Sequence, residues 1–165
     1  MDALLLGRKT DEIFAGYWPT APDEIPFTRL LNDVPKHVAS RSLAEPGAWQ
    51  GSTLLAGDLA DSIPALKERH DEVHVIGSLD LVQSLLRHGF VDRLDLWLHP
   101  LVLGSGKKVF DRGAVPTALR LTDSTTYPNG TLHLSSTVAS RGHDGARVVA
   151  ADGERQERPS SVSVG

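Results

Sequence analysis

The sequence of 165 residues contains no cysteine. This absence excludes disulfides, thiolate nucleophiles and cysteine-ligated zinc, and it favours a cytoplasmic protein. The sequence also lacks an excess of basic residues, because 17 Lys and Arg face 21 Asp and Glu for a formal charge of −4. Bulk charge therefore gives no support for a nucleic-acid or acidic-membrane partner. Apolar runs are too short to span a bilayer, and no basic region precedes Leu4–Leu6, so we predict a soluble protein.

Periodic hydrophobic residues are nearly absent from the end of the chain. The length suits one domain with a conventional core. After Ser140, Gly, Arg, Asp, Glu and Ser replace the periodic hydrophobic residues, apart from Val148–Ala151. We therefore expect a folded domain over residues 1–139 and a disordered tail over residues 140–165.

The segment Val73–Gly106 has the pattern of a strand, a tight turn, a helix and a second strand. A β-branched run ends at Gly77, and apolar residues then recur at helical spacing at Leu79, Leu81, Val82, Leu85 and Leu86. Alternating leucines follow over Leu94–Leu98, and this order is typical of an α/β sheet. Gly77 and Ser78 lie where a strand leads into a helix N-terminus, and backbone N–H groups there can hold an anion.

A second strand-to-helix turn lies near the start of the chain. Met1–Leu6 has the pattern of a strand buried on both faces, and it breaks at Gly7. Arg8, Lys9 and Thr10 follow, and a helix capped by Thr10 or Asp11 would continue through Tyr17. A glycine, two cations and a hydroxyl at such a turn can cradle phosphate, and a solvated basic turn is the alternative.

A third candidate turn follows the short strand Lys36–Ser40. Ser40 and Arg41 at its end could meet another phosphate, and an ordinary capped turn is the alternative. The preceding segment Pro19–Pro35 holds four prolines and no sustained period, so we predict an irregular excursion.

The remaining segments complete the predicted sheet. Ser52–Ala56 is a short strand, and the helix after it has either Asp58 or Ser62 as its N-cap. Near the end, alternating residues and an Asn-Gly pair predict a terminal antiparallel hairpin over Ala118–Tyr127 and Thr131–Val138.

Three further patterns carry little chemical information. His70 and His74 do not match the zincin spacing, so a surface turn is favoured over a metal site. Gly104–Lys108 lacks the first P-loop glycine and the hydroxyl residue after lysine, which leaves a basic pocket rim or a solvated turn. No spacing singles out a general acid among the available carboxylates, which are Asp23, Glu24, Asp92 and Asp95.

Four segments in this order resemble one family. They are Leu4–Thr10, Pro35–Leu43, His74–Leu86 and Val91–Phe110. Together they are similar to the dihydrofolate-reductase-like reductases of the RibD C-terminal-domain type. The resemblance implies an α/β, three-layer fold in which a mixed, mostly parallel sheet is flanked by helices and ends in an antiparallel hairpin.

The resemblance also implies a cofactor and its contacts. NADPH would lie across the carboxyl ends of the strands, as ligands do in open α/β sheets. By resemblance, the phosphates meet Gly7, Arg8, Lys9 and Thr10, the 2′-phosphate meets Ser40 and Arg41, and the pyrophosphate turn is Gly77, Ser78 and Leu79. Many relatives have a second glycine where this chain has Leu79, and glycine lets backbone approach a ligand closely.

The expected activity is that of an NADPH-dependent reductase of a small heterocyclic substrate, resembling the phosphoribosylamino-uracil reductase of riboflavin biosynthesis. The alternatives are a related reductase of another substrate, a non-catalytic nucleotide-binding relic, and a metal-dependent hydrolase. The histidine spacing argues against the hydrolase. A homodimer is a further expectation.

One feature of the family has no counterpart at the start of this sequence. Relatives begin with a further strand and helix, including a Ser-Leu-Asp-Gly stretch that lines the nicotinamide and substrate pocket. That strand would lie between the strands over Val73–Gly77 and Leu94–Leu98. We therefore expect these strands to close on each other, another chain to fill the gap, or the coding sequence to begin further upstream.

Overall fold

A computed structural model describes residues 1–55, 57–110, 114–138 and 147–151. Its strands are β1 Ala3–Gly7, β2 Lys36–Ala39, β3 Ser52–Leu55, β4 Glu72–Ile76, β5 Arg93–Leu98, β6 Leu119–Thr126, β7 Leu132–Val138 and β8 Arg147–Ala151. Its helices are α1 Arg8–Ala15, α2 Thr28–Asp33, α3 Leu59–Arg69 and α4 Leu79–Arg87, with a single 3₁₀ turn over Trp18–Thr20. Among the described residues, no helix is both long enough and apolar enough to cross a membrane.

The strands form one sheet of eight in the order β3-β2-β1-β4-β8-β5-β7-β6. β1, β2, β3, β4 and β8 run parallel to their neighbours, and β8 is also parallel to β5. β5, β7 and β6 are antiparallel. This arrangement confirms the predicted mixed, mostly parallel sheet.

Helices cover both faces of the parallel half, which gives the predicted three layers. On one face, Leu5 and Val75 pack in a core cluster with Ile63 and Leu66 of α3 and Leu85 of α4. On the other face, a second cluster is formed by Leu4, Leu6, Leu31, Val34 and Trp49, with Phe14 packed against it. β1 contributes to both clusters because its alternating side chains point to opposite faces. This accounts for its unbroken apolar sequence.

The terminal hairpin is confirmed. β6 and β7 pair over most of their length, with one register shift between Leu121 and Asp123. Gly130 has φ of +82°, a conformation that glycine adopts without steric cost. The Thr131 N–H donates to Asn129 Oδ1 at 3.1 Å, so the Asn-Gly pair closes the turn as predicted.

Several helix boundaries differ from the sequence prediction. α1 begins at Arg8 with Gly7 as N-cap, so neither Thr10 nor Asp11 caps it, and Asp11 is instead buried inside the helix. Asp58 caps α3 by accepting from the Ala60 N–H at 3.2 Å, which decides between the alternatives. α2 lies within the segment predicted to be irregular. Its six residues are too few for a visible helical period, and its stability comes from burying Thr28 and Leu31.

The expectation of a disordered tail is wrong for residues 147–151. Arg147–Ala151 form β8, which pairs with β4 on one side and β5 on the other. The alternative that β4 and β5 close on each other is wrong as well, because Arg147–Ala151 of the same chain lies between them. The physical reason is that the unpaired backbone groups of two strand edges are satisfied by any short segment with β propensity that can reach them. The other predicted tail residues, 140–146 and 152–165, lie outside the described part of the chain.

Candidate functional site

Three of the predicted turns lie side by side at one edge of the sheet. Gly7 of β1 pairs with Ala39 of β2, so Ser40 follows β2 at the level where α1 begins. Leu4 pairs with His74, and the same register places Gly7 level with Gly77. The carboxyl ends of β2, β1 and β4 therefore meet, which is where open α/β sheets bind their ligands.

A hydroxyl group joins two of these turns. Ser78 Oγ accepts the Gly7 N–H at 2.8 Å and donates to Thr10 Oγ1 at 2.8 Å. These two hydrogen bonds join residues that lie 71 and 68 positions apart in the sequence. The geometry fixes the start of α1 against the start of α4. The structure thus brings together Gly7, Thr10, Gly77 and Ser78 as a set.

The turn before α4 has an uncommon backbone conformation. Gly77 has φ of +61° and Ser78 has φ of +55°, and among the described residues Ser78 is the sole non-glycine with positive φ. A left-handed residue other than glycine costs roughly 1–2 kcal/mol. Such outliers persist only where surrounding contacts hold them, and they cluster at functional sites. Here the hydrogen bonds to Gly7 and Thr10 supply those contacts.

Both helix N-termini at this edge lack a side-chain cap within the described residues. Gly7 at the start of α1 has no side chain to offer, and Ser78 at the start of α4 uses its hydroxyl between the turns instead. The first N–H groups of a helix have no partner within the helix and carry its positive dipole end. Two such ends beside each other form a region suited to an anion with more than one phosphate.

The third turn carries an exposed cation. Ser40 Oγ accepts the backbone N–H groups of Ser42 and Leu43, each at 3.2 Å, so the chain turns sharply after β2. Arg41 lies on this turn and is exposed. Among the described residues it forms no ion pair, and its fork of donors faces solvent.

Three other residues that were predicted to contact the cofactor lie outside this hydrogen-bonded set. Arg8 forms an exposed i,i+4 ion pair with Glu12 at 2.9 Å, so its guanidinium lies along α1. Lys9 is exposed on the first turn of α1. Leu79 is the first residue of α4 and is partly buried. None of these three side chains belongs to the hydrogen-bonded set around Ser78.

The Gly104–Lys108 segment approaches the same edge. Lys107 Nζ lies 3.3 Å from Asp80 Oδ2 in the first turn of α4, and both groups are exposed. Gln83 of α4 also donates to the Val109 carbonyl. The segment therefore borders the turn before α4, which favours the rim interpretation over that of a remote solvated turn.

The candidate carboxylates have different surroundings. Asp23 pairs with Arg29 at the surface, and Asp92 accepts from the buried Lys67 at 2.9 Å. Asp95 is buried, and its carboxylate lies 2.8 Å from Arg93 Nε and 3.2 Å from His133 Nε2.

The Asp95 pair lies near the site. β8 Ala151 pairs with both Ile76 and Asp95, so Asp95 is level with the residue before Gly77. His133 stacks on Trp97 with ring centroids 4.4 Å apart. Linear spacing could not reveal this pair, because 38 positions of sequence separate its members.

The two histidines considered for a metal belong to different contacts. His70 Nε2 lies 3.1 Å from His37 Nε2, whereas His74 Nε2 lies 3.3 Å from Glu72 Oε2. Burial lowers the pKa of His37 to about 4, with His70 and Arg69 adding to the effect. In the described part of the chain no three His, Asp or Glu side chains are arranged to hold a metal ion.

Comparison with known proteins identifies the family. The RibD C-terminal domain family matches residues 1–133. The chain belongs to this reductase-like family, which confirms the resemblance drawn from the four segments.

One curated relative and two solved structures are similar to this chain. The uncharacterized protein YyaP of Bacillus subtilis (strain 168) is 25% identical over 138 residues, covering 81% of this chain and 72% of YyaP. A putative riboflavin biosynthesis protein from Shewanella sp. PV-4 superposes with a TM-score of 0.67 at 21% identity, covering 83% of this chain and 73% of that one. A pyrimidine reductase-like protein from Corynebacterium diphtheriae gives a TM-score of 0.57 at 17% identity, with 83% and 75% covered. These two structures share the fold.

Proposed function

We propose that this protein is an NADPH-dependent reductase of a small heterocyclic substrate, similar to the phosphoribosylamino-uracil that riboflavin biosynthesis reduces. Membership of the family and the names of the structural neighbours support a reductase. The observation that carries the proposal is the pair of helix N-termini joined through Ser78 at the carboxyl edge of the sheet.

The residues present fit a dinucleotide. Its pyrophosphate would be held at the start of α4 by the Gly77–Leu79 turn and at the start of α1 by Gly7 and Thr10. Gly77 has φ of +61° and no side chain, so the backbone of this turn can approach a ligand closely. Lys9 adds positive charge at the start of α1, and Arg8 would have to leave Glu12 to join it.

The adenosine end would extend toward β2. Ser40 orders the turn and Arg41 presents a guanidinium, whose fork matches a phosphate with two parallel hydrogen bonds. This assignment favours NADPH over NADH, which lacks the additional phosphate. When bound, the cofactor would supply a hydride, so the protein needs to provide chiefly orientation and electrostatics.

Two alternative functions are each supported by an observation. A related reductase of another substrate is supported by the same geometry, since the cofactor turns do not define the substrate. A non-catalytic nucleotide-binding protein is supported by the joined turns as well, since they account for nucleotide binding without a reacting group. A homodimer in the cytoplasm stays a prediction.

The cofactor assignment is tested by Arg41→Ala. We expect NADPH affinity to fall by about 1.5–3 kcal/mol, which corresponds to roughly 10- to 150-fold, because hydrogen bonds to a charged group are lost. NADH affinity should change little. Calorimetric titration of both cofactors measures this, and the exposed Arg120 of β6, substituted in the same way, is the control. Equal weakening of both cofactors would contradict the assignment.

The reaction is tested separately. Oxidation of NADPH in the presence of the phosphoribosylamino-pyrimidine or of dihydrofolate would identify a reductase and its substrate class. Tight NADPH binding with no turnover of either would favour the non-catalytic alternative or a different substrate. Failure to bind NADPH at all would overturn the proposal.

A further inference from the structure

β8 occupies the centre of the sheet although it is the last element of the chain that the structure describes. It pairs with all five residues of β4, Glu72–Ile76, on one side. On the other side it pairs with Arg93–Asp95 of β5. Within the described residues β4 and β5 have no direct pairing, so β8 alone joins the four-stranded parallel half to the three-stranded antiparallel half.

Buried residues of both halves lie in one core cluster. Val73 and Val75 of β4 belong to the same buried cluster as Leu94 of β5. Leu85 of α4 and Phe90 of the connection that follows lie in that cluster as well. β4 and β5 flank β8 and therefore lie about 10 Å apart, two strand spacings, each with backbone donors and acceptors turned toward the space between them. The space between them is a slot for one extended segment.

The end of the chain reaches this slot easily. The Val138 N–H at the end of β7 donates to the Asp92 carbonyl at 2.9 Å, just before β5. Val149 of β8 pairs with Arg93, the first residue of β5. The eight residues 139–146 can span up to roughly 26–29 Å, more than the two strand spacings that separate β7 from β8.

The last residue of β8 lies beside the candidate cofactor site. Ala151 pairs with Ile76, and Ile76 immediately precedes the Gly77–Ser78 turn. Hydrogen bonds to β8 therefore support the last residues of β4, which lie next to this turn. Without that support, β4 would have one paired edge rather than two, and its carboxyl end would be less ordered.

We propose that the slot between β4 and β5 is a strand-binding site, that Arg147–Ala151 of the same chain is its occupant, and that occupation sets the anion affinity of the Gly77–Ser78 turn. The recognition is strand addition on both sides, in which main-chain hydrogen bonds give the affinity. The last clause of the proposal rests on the proposed function, and the first two do not. Equivalent extended peptides with β-branched residues would compete for the same slot.

The test uses the full chain with Val149→Pro, because Val149 pairs with both His74 and Arg93 and proline cannot donate a ladder hydrogen bond. We expect amide hydrogen exchange in β4 and β5 to become roughly tenfold or more faster, and NADPH to bind roughly tenfold or more weakly. A peptide of residues 141–156, added in trans, should restore both. The same peptide carrying proline at position 149 should restore neither, and Val162→Pro in the full chain is the matched control.

A cross-link provides a measurement that does not depend on a destabilised variant. The chain has no cysteine, so the double variant His74→Cys with Val149→Cys places the only thiols at paired positions. Oxidation should close an intrachain disulfide, detected by mass, whereas His74→Cys with Thr126→Cys should not, because β6 lies four strands from β4.

Each outcome decides the proposal. No cross-link together with unchanged exchange in Val149→Pro would show that β8 does not fill the slot. Faster exchange or unfolding that the peptide cannot reverse would show an integral strand rather than a binding site. Restored exchange with unchanged NADPH affinity would overturn the link to the turn. If even the unmodified chain fails to bind NADPH, the proposed function fails, while exchange and cross-linking still decide the strand.

Discussion

Ser78 is the residue on which the candidate site depends most. Its left-handed backbone turns the chain from β4 into α4, and its hydroxyl holds the start of α1 against that turn. The hydroxyl thereby does not cap its own helix, which leaves the N–H groups of α4 available. A single side chain thus determines both the shape of the turn and its capacity for an anion.

Two substitutions separate these roles. Ser78→Ala and Ser78→Gly both lose the hydrogen bonds to Gly7 and Thr10, so both should weaken NADPH binding and lower the free energy of unfolding by about 1–3 kcal/mol. Glycine removes the left-handed strain, and the glycine variant should therefore be about 1 kcal/mol more stable than the alanine variant. Chemical denaturation measures this difference.

Ser84 provides the control for this order. It lies inside α4, where alanine is favoured over glycine by about 1 kcal/mol. Ser84→Ala should consequently be more stable than Ser84→Gly, which is the reverse of the order expected at Ser78. The same order at both positions would show that the backbone of Ser78 is not left-handed in solution.

At the scale of elements, α3 contains a proline in its interior. Asp58 is the N-cap, so Pro64 is the sixth residue of the helix rather than a first-turn residue. Proline there cannot donate to the carbonyl four residues earlier, and its ring crowds that carbonyl. The helix tolerates it because Ile63 and Leu66 are fully buried on the sheet.

Pro64→Ala should stabilise the protein. Alanine gains about 3 kcal/mol in a helix interior relative to proline, and the more flexible unfolded chain offsets up to about 1 kcal/mol. We therefore expect a gain of about 2 kcal/mol in the free energy of unfolding by urea denaturation. Pro26→Ala, in an exposed turn, should give a small loss instead. A loss at Pro64 as well would place the start of α3 at Ser62.

At the scale of the whole molecule, several titrating groups lie at the amino-terminal edge of the sheet, away from the candidate site. His37 hydrogen-bonds Thr53 and faces His70, and burial lowers its pKa to about 4. Burial also lowers the pKa of His74, against the attraction of Glu72. The hydrogen bond from the N-terminal ammonium of Met1 lowers the pKa of Glu72. All three groups bind protons more readily in the unfolded chain.

Stability should consequently decline in acid. The two histidines contribute stability that is present above the unfolded pKa of 6.5 and is lost as pH falls toward about 4 for His37. Protonation of His37 should lower the free energy of unfolding by about 1–3 kcal/mol, after allowance for relaxation of the folded protein. Glu72 adds a further loss below the unfolded value of 4.5. Melting measured between pH 7 and pH 4 tests this.

The pH prediction has a direct control. His37→Gln should flatten the pH dependence between 6.5 and 4, although it also removes stability at pH 7 by disturbing the contact with Thr53. His88→Gln, at an exposed position, should leave the slope unchanged. An unaltered slope in His37→Gln would show that His37 does not titrate differently on folding.

Sequence patterns indicated strands β1 to β7 and helices α1, α3 and α4, although the starts of α1 and α3 were decided by the structure. Those elements have strong local signals, such as the apolar run of β1, the helical spacing in α4 and the Asn-Gly pair of the hairpin. Local patterns placed each of the three turns at the end of a strand. The resemblance to the family, rather than any local pattern, implied that Gly7, Ser40 and Gly77 meet one cofactor.

Tertiary structure alone decided the contacts that join these turns and the place of the last strand. The Ser78 hydroxyl and Asp95 meet partners that are remote in sequence, and pairings of that kind have no local period. Val148–Ala151 has too few residues for a reliable strand signal, and its polar flanks resemble a tail. The five residues of β8 enter the sheet because the facing edges of β4 and β5 have backbone donors and acceptors that another strand must satisfy.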